Sequence, residues 1–136
     1  MRAAMPDFRL EHPGLAARDT ATLAQWYVRT LGATVKWQSE KTPAAYFVEL
    51  PGGALIEIYT ATADTGGLPE NGDAGLRHLA LRVASIDIAR GVLEARGVVF
   101  TEPVKRAGGG GSVLFFRDCE GNLLHLVERT AESAIR

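Results

Sequence analysis

Four side chains in this sequence have the chemistry to hold one divalent cation: His12, Glu57, His78 and His125. Imidazole nitrogen and carboxylate oxygen are ligands that zinc, nickel, iron, cobalt and manganese share. Their spacing says more than their number. His12 and His78 are 66 residues apart, and Glu57 and His125 are 68 apart. The local pattern also repeats, as Gly53-Ala54-Leu55-Ile56-Glu57-Ile58 and as Gly121-Asn122-Leu123-Leu124-His125-Leu126. In each copy a glycine turn feeds an aliphatic strand, with a metal-capable residue four positions after the glycine. A polar group among aliphatic neighbours needs a partner if it is buried. A lone strand histidine is more often a hydrogen-bonded residue of core or surface than a ligand. All three histidines falling on equivalent positions of a repeat favours a metal site over coincidence.

The elements that must position these residues repeat as well. Phe8 to His12 is expected to begin a strand, weakened by Pro13 and Gly14. Asp19-Thr20 offers a helix N-cap, followed by Leu23, Trp26, Tyr27 and Leu31 at helical spacing and by Gly32 as the stop. Three short strands are expected next, over 33–39, 45–50 and 54–60, punctuated by Pro43 and Pro51-Gly52-Gly53. Residues 61–75 are rich in Gly, Pro, Asp and Asn and read as a linker or exposed loop. The order then returns: a strand over 76–83, a helix capped by Ser85 with Ile88, Val92 and Leu93, a stop at Gly97, and strands over 98–104, 112–116 and 123–128. The caps Asp19 and Ser85 are 66 residues apart, and the stopping glycines Gly32 and Gly97 are 65 apart. The four-glycine run Gly108 to Gly111 reads as a flexible lid or a solvated hairpin tip.

With 136 residues, 46% of them hydrophobic and 23% charged, the chain is expected to fold as one ordinary globular domain. A net charge of −1 gives no footprint for nucleic acid or an anionic membrane. No apolar run reaches the length of a membrane span, and the opening stretch lacks the apolar core of a signal peptide. One cysteine, Cys119, excludes an internal disulfide and suits a reducing, cytoplasmic setting.

These residues resemble the vicinal oxygen chelate superfamily, which includes glyoxalase I, methylmalonyl-CoA epimerase, extradiol dioxygenases, fosfomycin-resistance transferases and metal-free bleomycin-binding proteins. The resemblance runs from about Phe8 to Glu128. It rests on His12 before Asp19, Leu31-Gly32, Leu55-Ile56-Glu57, Gly75-Leu76-Arg77-His78, and Asp118 through His125. It implies an α+β fold of two tandem βαβββ modules, about 7–60 and 76–130, whose curled mixed sheets surround one metal. By this resemblance His12, Glu57, His78 and His125 are the ligands of one divalent ion per site, zinc preferred over nickel, iron, cobalt or manganese. Two departures stand out: His125 occupies a position where many members carry glutamate, and Cys119 one where proline is common. Cys119 is read as structurally incidental.

The implied activity is that of a metal-dependent lyase or isomerase acting on a small carbonyl substrate with adjacent oxygens. The metal grips those oxygens and stabilises an enolate, and Glu57, the one carboxylate of the set, is the candidate base. Three imidazoles and one carboxylate leave a divalent ion with a local charge of about +1, more electrophilic than a site with two glutamates. A homodimer is the expected assembly. The alternatives are an Fe(II) extradiol-type dioxygenase and a non-catalytic drug-binding protein. Strand alternation puts Tyr59 on the face of Glu57 and Arg82 on the face of His78. Both are candidate substrate-binding residues, with Arg82 offered to a carboxylate or phosphate or else to solvent. Trp37 and Tyr46 are candidate aromatic walls or core packing, and Trp26 and Tyr27 are assigned to packing or a subunit contact.

Overall fold

The computed structural model describes residues 6–64, 67 and 69–136. The first five residues, and positions 65, 66 and 68 of the expected linker, lie outside the described residues. The chain forms β1 (Gly14–Ala17), α1 (Thr20–Leu31), β2 (Thr34–Gln38), β3 (Tyr46–Glu49) and β4 (Leu55–Thr60). It continues with β5 (His78–Arg82), α2 (Ile86–Ala95), β6 (Lys105–Arg106), β7 (Ser112–Arg117) and β8 (Leu123–Glu128). The two halves share one topology: sheet order β1-β4-β3-β2 in the first and β5-β8-β7-β6 in the second. In each half the first and last strands pair in parallel and the rest pair antiparallel. The fold is therefore α+β, two βαβββ modules with mixed sheets. Among the described residues no helix is long and apolar enough to cross a membrane.

The helices form where their caps say. Asp19 accepts the Thr22 N–H at 3.0 Å, and Gly32 closes α1 with φ of 75°, a conformation open to glycine at little cost. Leu23, Ala24 and Tyr27 of α1 are buried. Ser85 caps α2, and the Ile86 N–H donates to Glu128 Oε1 at 2.7 Å, tying the helix start to the end of its own sheet. The buried face of α2 is Ile86 and Leu93, whereas Ile88 and Val92 point outward, against the stripe expected from sequence. Each sheet turns one face to the core through alternate residues: Val48, Ile56 and Ile58 in the first, Leu114, Phe116, Leu124 and Leu126 in the second.

Two expected strands are corrected. The stretch Phe8 to His12 is not a strand, and β1 starts at Gly14. Pro13 has no N–H to pair, and ladder contact begins with its carbonyl, which accepts the Glu57 N–H at 3.0 Å. Residues 98–104 are not a strand either; only Lys105–Arg106 pairs with β7. The Val98 N–H is spent on Leu93 O at the end of α2, and Pro103 lacks a donor. The glycine run is neither a free lid nor a purely solvated tip. It closes the β6–β7 hairpin through Ala107 N–H to Gly111 O, and its carbonyls accept from Arg129 Nη1 and Ser133 Oγ.

The modules are joined by named contacts. Tyr27 Oη of α1 donates to Asp118 Oδ2 at 2.9 Å, and the backbone N–H groups of Arg18 and Asp19 donate to the two Glu120 carboxylate oxygens at 2.8 Å each. In the other direction Arg96 Nη1 donates to Thr30 O at 2.8 Å.

Candidate metal centre

The strand registers place the four candidate ligands equivalently. Glu57 lies opposite Gly14 and His125 opposite Ala80, each the second residue after a histidine, His12 or His78. Because β5–β8 pairing is parallel, His78 sits on the same sheet face as His125, the face turned away from the helix; His12 precedes β1 and reaches Glu57 from outside the ladder. In the first module His12 Nε2 is 3.5 Å from Glu57 Oε1. In the second the His78 and His125 rings are 4.6 Å apart between centroids. The sequence thus yields two pairs, one per sheet. Among the described residues no group of three or more His, Cys, Asp or Glu side chains comes together as a cation site.

Each imidazole is held through Nδ1 by an oxygen. His12 Nδ1 lies 2.9 Å from Glu11 Oε1, His78 Nδ1 is 2.8 Å from Asn71 Oδ1, and His125 Nδ1 is 3.1 Å from Leu126 O. Carbonyl and carboxylate oxygens only accept; His12 Nε2 also faces a carboxylate, Glu57 at 3.5 Å, and a neutral ring that donates to the oxygen behind it carries its proton on Nδ1. That is the tautomer a metal bound through Nε2 requires, with the supporting oxygen found behind ligating histidines. His125 is 6% exposed, and burial, helped by His78 and Arg129, pushes its pKa down and keeps it neutral. Imidazole and carboxylate are donors that a divalent ion takes, two from each module, and among the described residues the two pairs stay apart.

Aromatic rings brace the imidazoles, which sequence reasoning missed. Phe47 lies opposite Glu57 and stands edge-on to His12 at 4.8 Å; Phe115 lies opposite His125, 4.8 Å from its ring and 5.9 Å from His78. The signal was present, since Phe47 and Phe115 repeat with the same 68-residue offset as Glu57 and His125. Trp37 packs on Phe47 at 5.9 Å and is 51% exposed, which makes it a wall of the first half-site rather than core. Tyr46 packs against the core instead. Tyr59 is 41% exposed beside Gly14, where a Cβ would stand 3.0 Å from the ring. Arg82, exposed at the end of β5, donates to Ile135 O at 3.4 Å. Cys119 is exposed; partial burial of its sulfur and neighbouring carboxylates push its pKa up, away from a reactive thiolate.

Beside the second half-site lies a cavity of about 630 Å³. Trp26, Phe115 and Leu123 give it apolar walls, and Asn71, Lys105 and Arg117 line it with polar groups. Its size is within the range of small-molecule sites.

A family model described as the Glyoxalase/Bleomycin resistance protein/Dioxygenase superfamily matches residues 9–126. Among solved structures, the glyoxylase/bleomycin resistance protein/dioxygenase domain from Frankia sp. EAN1pec is 26% identical, with a TM-score of 0.72 over 93% of this chain and 95% of that one. A mutant of the fosfomycin resistance protein FosX from Listeria monocytogenes, complexed with Mn(II) and 1S,2S-dihydroxypropylphosphonic acid, is 21% identical, with a TM-score of 0.67 over 91% and 92%. TnmS3, an antibiotic binding protein from Streptomyces sp. CB03234, is 21% identical with a TM-score of 0.72 over 93% and 100%. Nothing matches among the curated proteins.

Proposed function

This chain belongs to the glyoxalase/bleomycin resistance protein/dioxygenase superfamily, and from that premise we propose that it is a metal-dependent lyase or isomerase acting on a small carbonyl compound with adjacent oxygens. The observation that carries the reading is the common setting of its three histidines, each held at Nδ1 by an oxygen, with Nε2 of His12 turned toward Glu57 Oε1 at 3.5 Å. Two such pairs in equivalent positions of the repeat favour a metal site over metal-free binding.

His12, Glu57, His78 and His125 would hold the ion, zinc by preference. When bound it would supply Lewis acidity toward the two substrate oxygens, which makes the neighbouring C–H more acidic. The remaining work belongs to the chain's own groups. Glu57, the one carboxylate among the four, would swing off the ion to take the proton from the carbon next to the carbonyl. Trp37, Phe47 and Tyr59 wall the first half-site and limit water, while Arg82 binds an anionic substituent in place of its present backbone partner. The cavity lined by Asn71 and Phe115 gives room for the organic body of the substrate.

The two pairs lie on different sheets of one chain, and both sheet faces are open at Trp37, Tyr59 and His78. A second copy that sets its first-module face against the second-module face of its partner completes two equivalent sites, so the functional unit is a homodimer. A cytoplasmic setting belongs to the same reading, on the strength of the lone cysteine.

Metal analysis of protein purified without chelators tests this. Wild type and Arg82→Ala are expected to hold one divalent ion per site, and His78→Ala to lose at least about 10-fold in affinity. Equal metal content in the two variants refutes the ligand assignment. Incubation with α-hydroxy and α-oxo carbonyl compounds in D₂O is expected to wash deuterium into the carbon next to the carbonyl; no exchange with any of them, in metal-loaded protein, removes the lyase and isomerase reading.

A further inference from the structure

The acceptor behind His78 differs from the other two in origin. Glu11 and Leu126 are chain neighbours of the histidines they hold, whereas Asn71 belongs to the segment between the modules, seven residues before His78. That segment reads in sequence as a linker, yet its described part is built. The Asp73 N–H donates to Glu70 O at 3.0 Å, and Asp73 Oδ2 accepts the Glu70 N–H at 2.8 Å, which closes a turn over Glu70 to Asp73. Two side chains of this turn then reach the site face of the second sheet. Asn71 Oδ1 meets His78 Nδ1 at 2.8 Å, and the Glu70 carboxylate meets Arg117 Nη2 at 3.2 Å. Arg117 lies on β7 two residues beyond Phe115, hence on the same face, and its other arm donates to Gly121 O at 2.8 Å. The turn is thus fastened at two points, His78 on β5 and Arg117 on β7.

His78 needs such help more than His125 does. Its side of β5 is exposed, so packing alone does not fix its ring, and water would compete for either nitrogen. The Asn71 amide presents its oxygen to the ring, and an oxygen there admits only the Nδ1-protonated form of a neutral imidazole.

We propose that Asn71 is a positioning residue: it sets the tautomer and ring plane of His78, so that the connecting segment between the modules is a working part of the metal centre. The proposal deepens the metal reading and rests on His78 being a ligand. Substrate does not touch Asn71 in this role; it acts through His78 alone.

The test uses the full chain. In ¹⁵N-labelled, metal-free protein at a pH where imidazole is neutral, the His78 ring signals are assigned by their loss in His78→Gln. Wild type is expected to carry the proton on Nδ1, Asn71→Ala to move it largely to Nε2, and Asn71→Asp, which keeps an acceptor oxygen, to restore Nδ1. The His12 and His125 signals serve as internal controls and stay unchanged. Affinity for Zn²⁺, measured by competition with a chromophoric chelator, is expected to fall about 10- to 100-fold in Asn71→Ala and only a few-fold in Asn71→Asp. An unchanged His78 tautomer in Asn71→Ala overturns the proposal whatever the metal does. So does a wild type that binds Zn²⁺ no more tightly than Asn71→Ala. A wild type that takes up no ion at all sinks the parent reading and this role with it, and is told apart by that blank titration.

Discussion

Asp118 shows how a single residue can carry the joint between modules. It is buried, and it accepts from Tyr27 Oη, from the Glu120 and Asn122 N–H groups, and from Asn122 Nδ2. Burial nevertheless raises its pKa, outweighing the hydrogen bonds from Asn122, Tyr27 and Glu120 that lower it. The folded protein therefore binds that proton more tightly than the unfolded chain. Its contribution to stability is full below the ordinary carboxylate range and is lost as pH rises through the raised value. Urea unfolding across that window is expected to show wild type weakening with rising pH, and Asp118→Asn to have a shallower dependence. Tyr27→Phe, which takes away one of the donors, is expected to cost about 1 to 2 kcal/mol. At this scale the equivalence of Glu57 with His125, and of His12 with His78, was legible, since the offset of the repeat is written in the chain. The Tyr27–Asp118 contact spans 91 positions and the Asn71–His78 contact crosses a loop, and neither leaves a periodic trace. The histidine of a pair can be found by offset; the oxygen behind it depends on how the chain turns in space.

Elements were readable where local chemistry decides them. Asp19, Ser85 and Gly32 marked helix ends because a cap is made by the residue itself and its near neighbours. The strand over 123–128 was read to the residue, as its glycine turn and aliphatic run act together. The misses occur where a neighbouring element takes a donor away: Pro13 delays β1, and Leu93 O claims the Val98 N–H. The glycine run is the clearest case of an element whose role comes from packing. A Cβ at Gly111 would run into the Glu128 carbonyl, and φ there is +111°. At Gly108 nothing stands within 4 Å of that position. Thermal or urea unfolding is therefore expected to show Gly111→Ala destabilised by at least about 2 kcal/mol. Gly108→Ala should stay within about 0.5 kcal/mol of wild type. Equal stability of the two would mean that the Glu128 backbone does not stand against Gly111.

At the scale of the molecule, the duplication was legible because both copies keep the same order of elements, and the resemblance to a superfamily followed from it. How the copies face each other was not, since the surface that joins them is made of contacts like Arg18 and Asp19 to Glu120 that no repeat encodes. The proposed sharing of sites between two copies has a direct check. His12→Ala and His78→Ala dimers each spoil both sites. A heterodimer isolated with two tags gathers both lesions in one site and leaves the other whole, so it is expected to regain about half of the wild-type metal content. Sites enclosed within single chains would leave the heterodimer no better than the average of its parents.

The pleat of β5 turns the placement of His78 into a matter of odd and even counting. Side chains along this strand alternate between the two sides of the sheet, with Leu79 and Leu81 facing the helix layer and His78, Ala80 and Arg82 facing away. Losing one residue here would change no ligand's identity, yet it would swing the imidazole into oil and push a leucine out to water. The repeat can drift in length through its loops, as the step from 66 to 68 shows, but within a strand only changes by twos preserve the site.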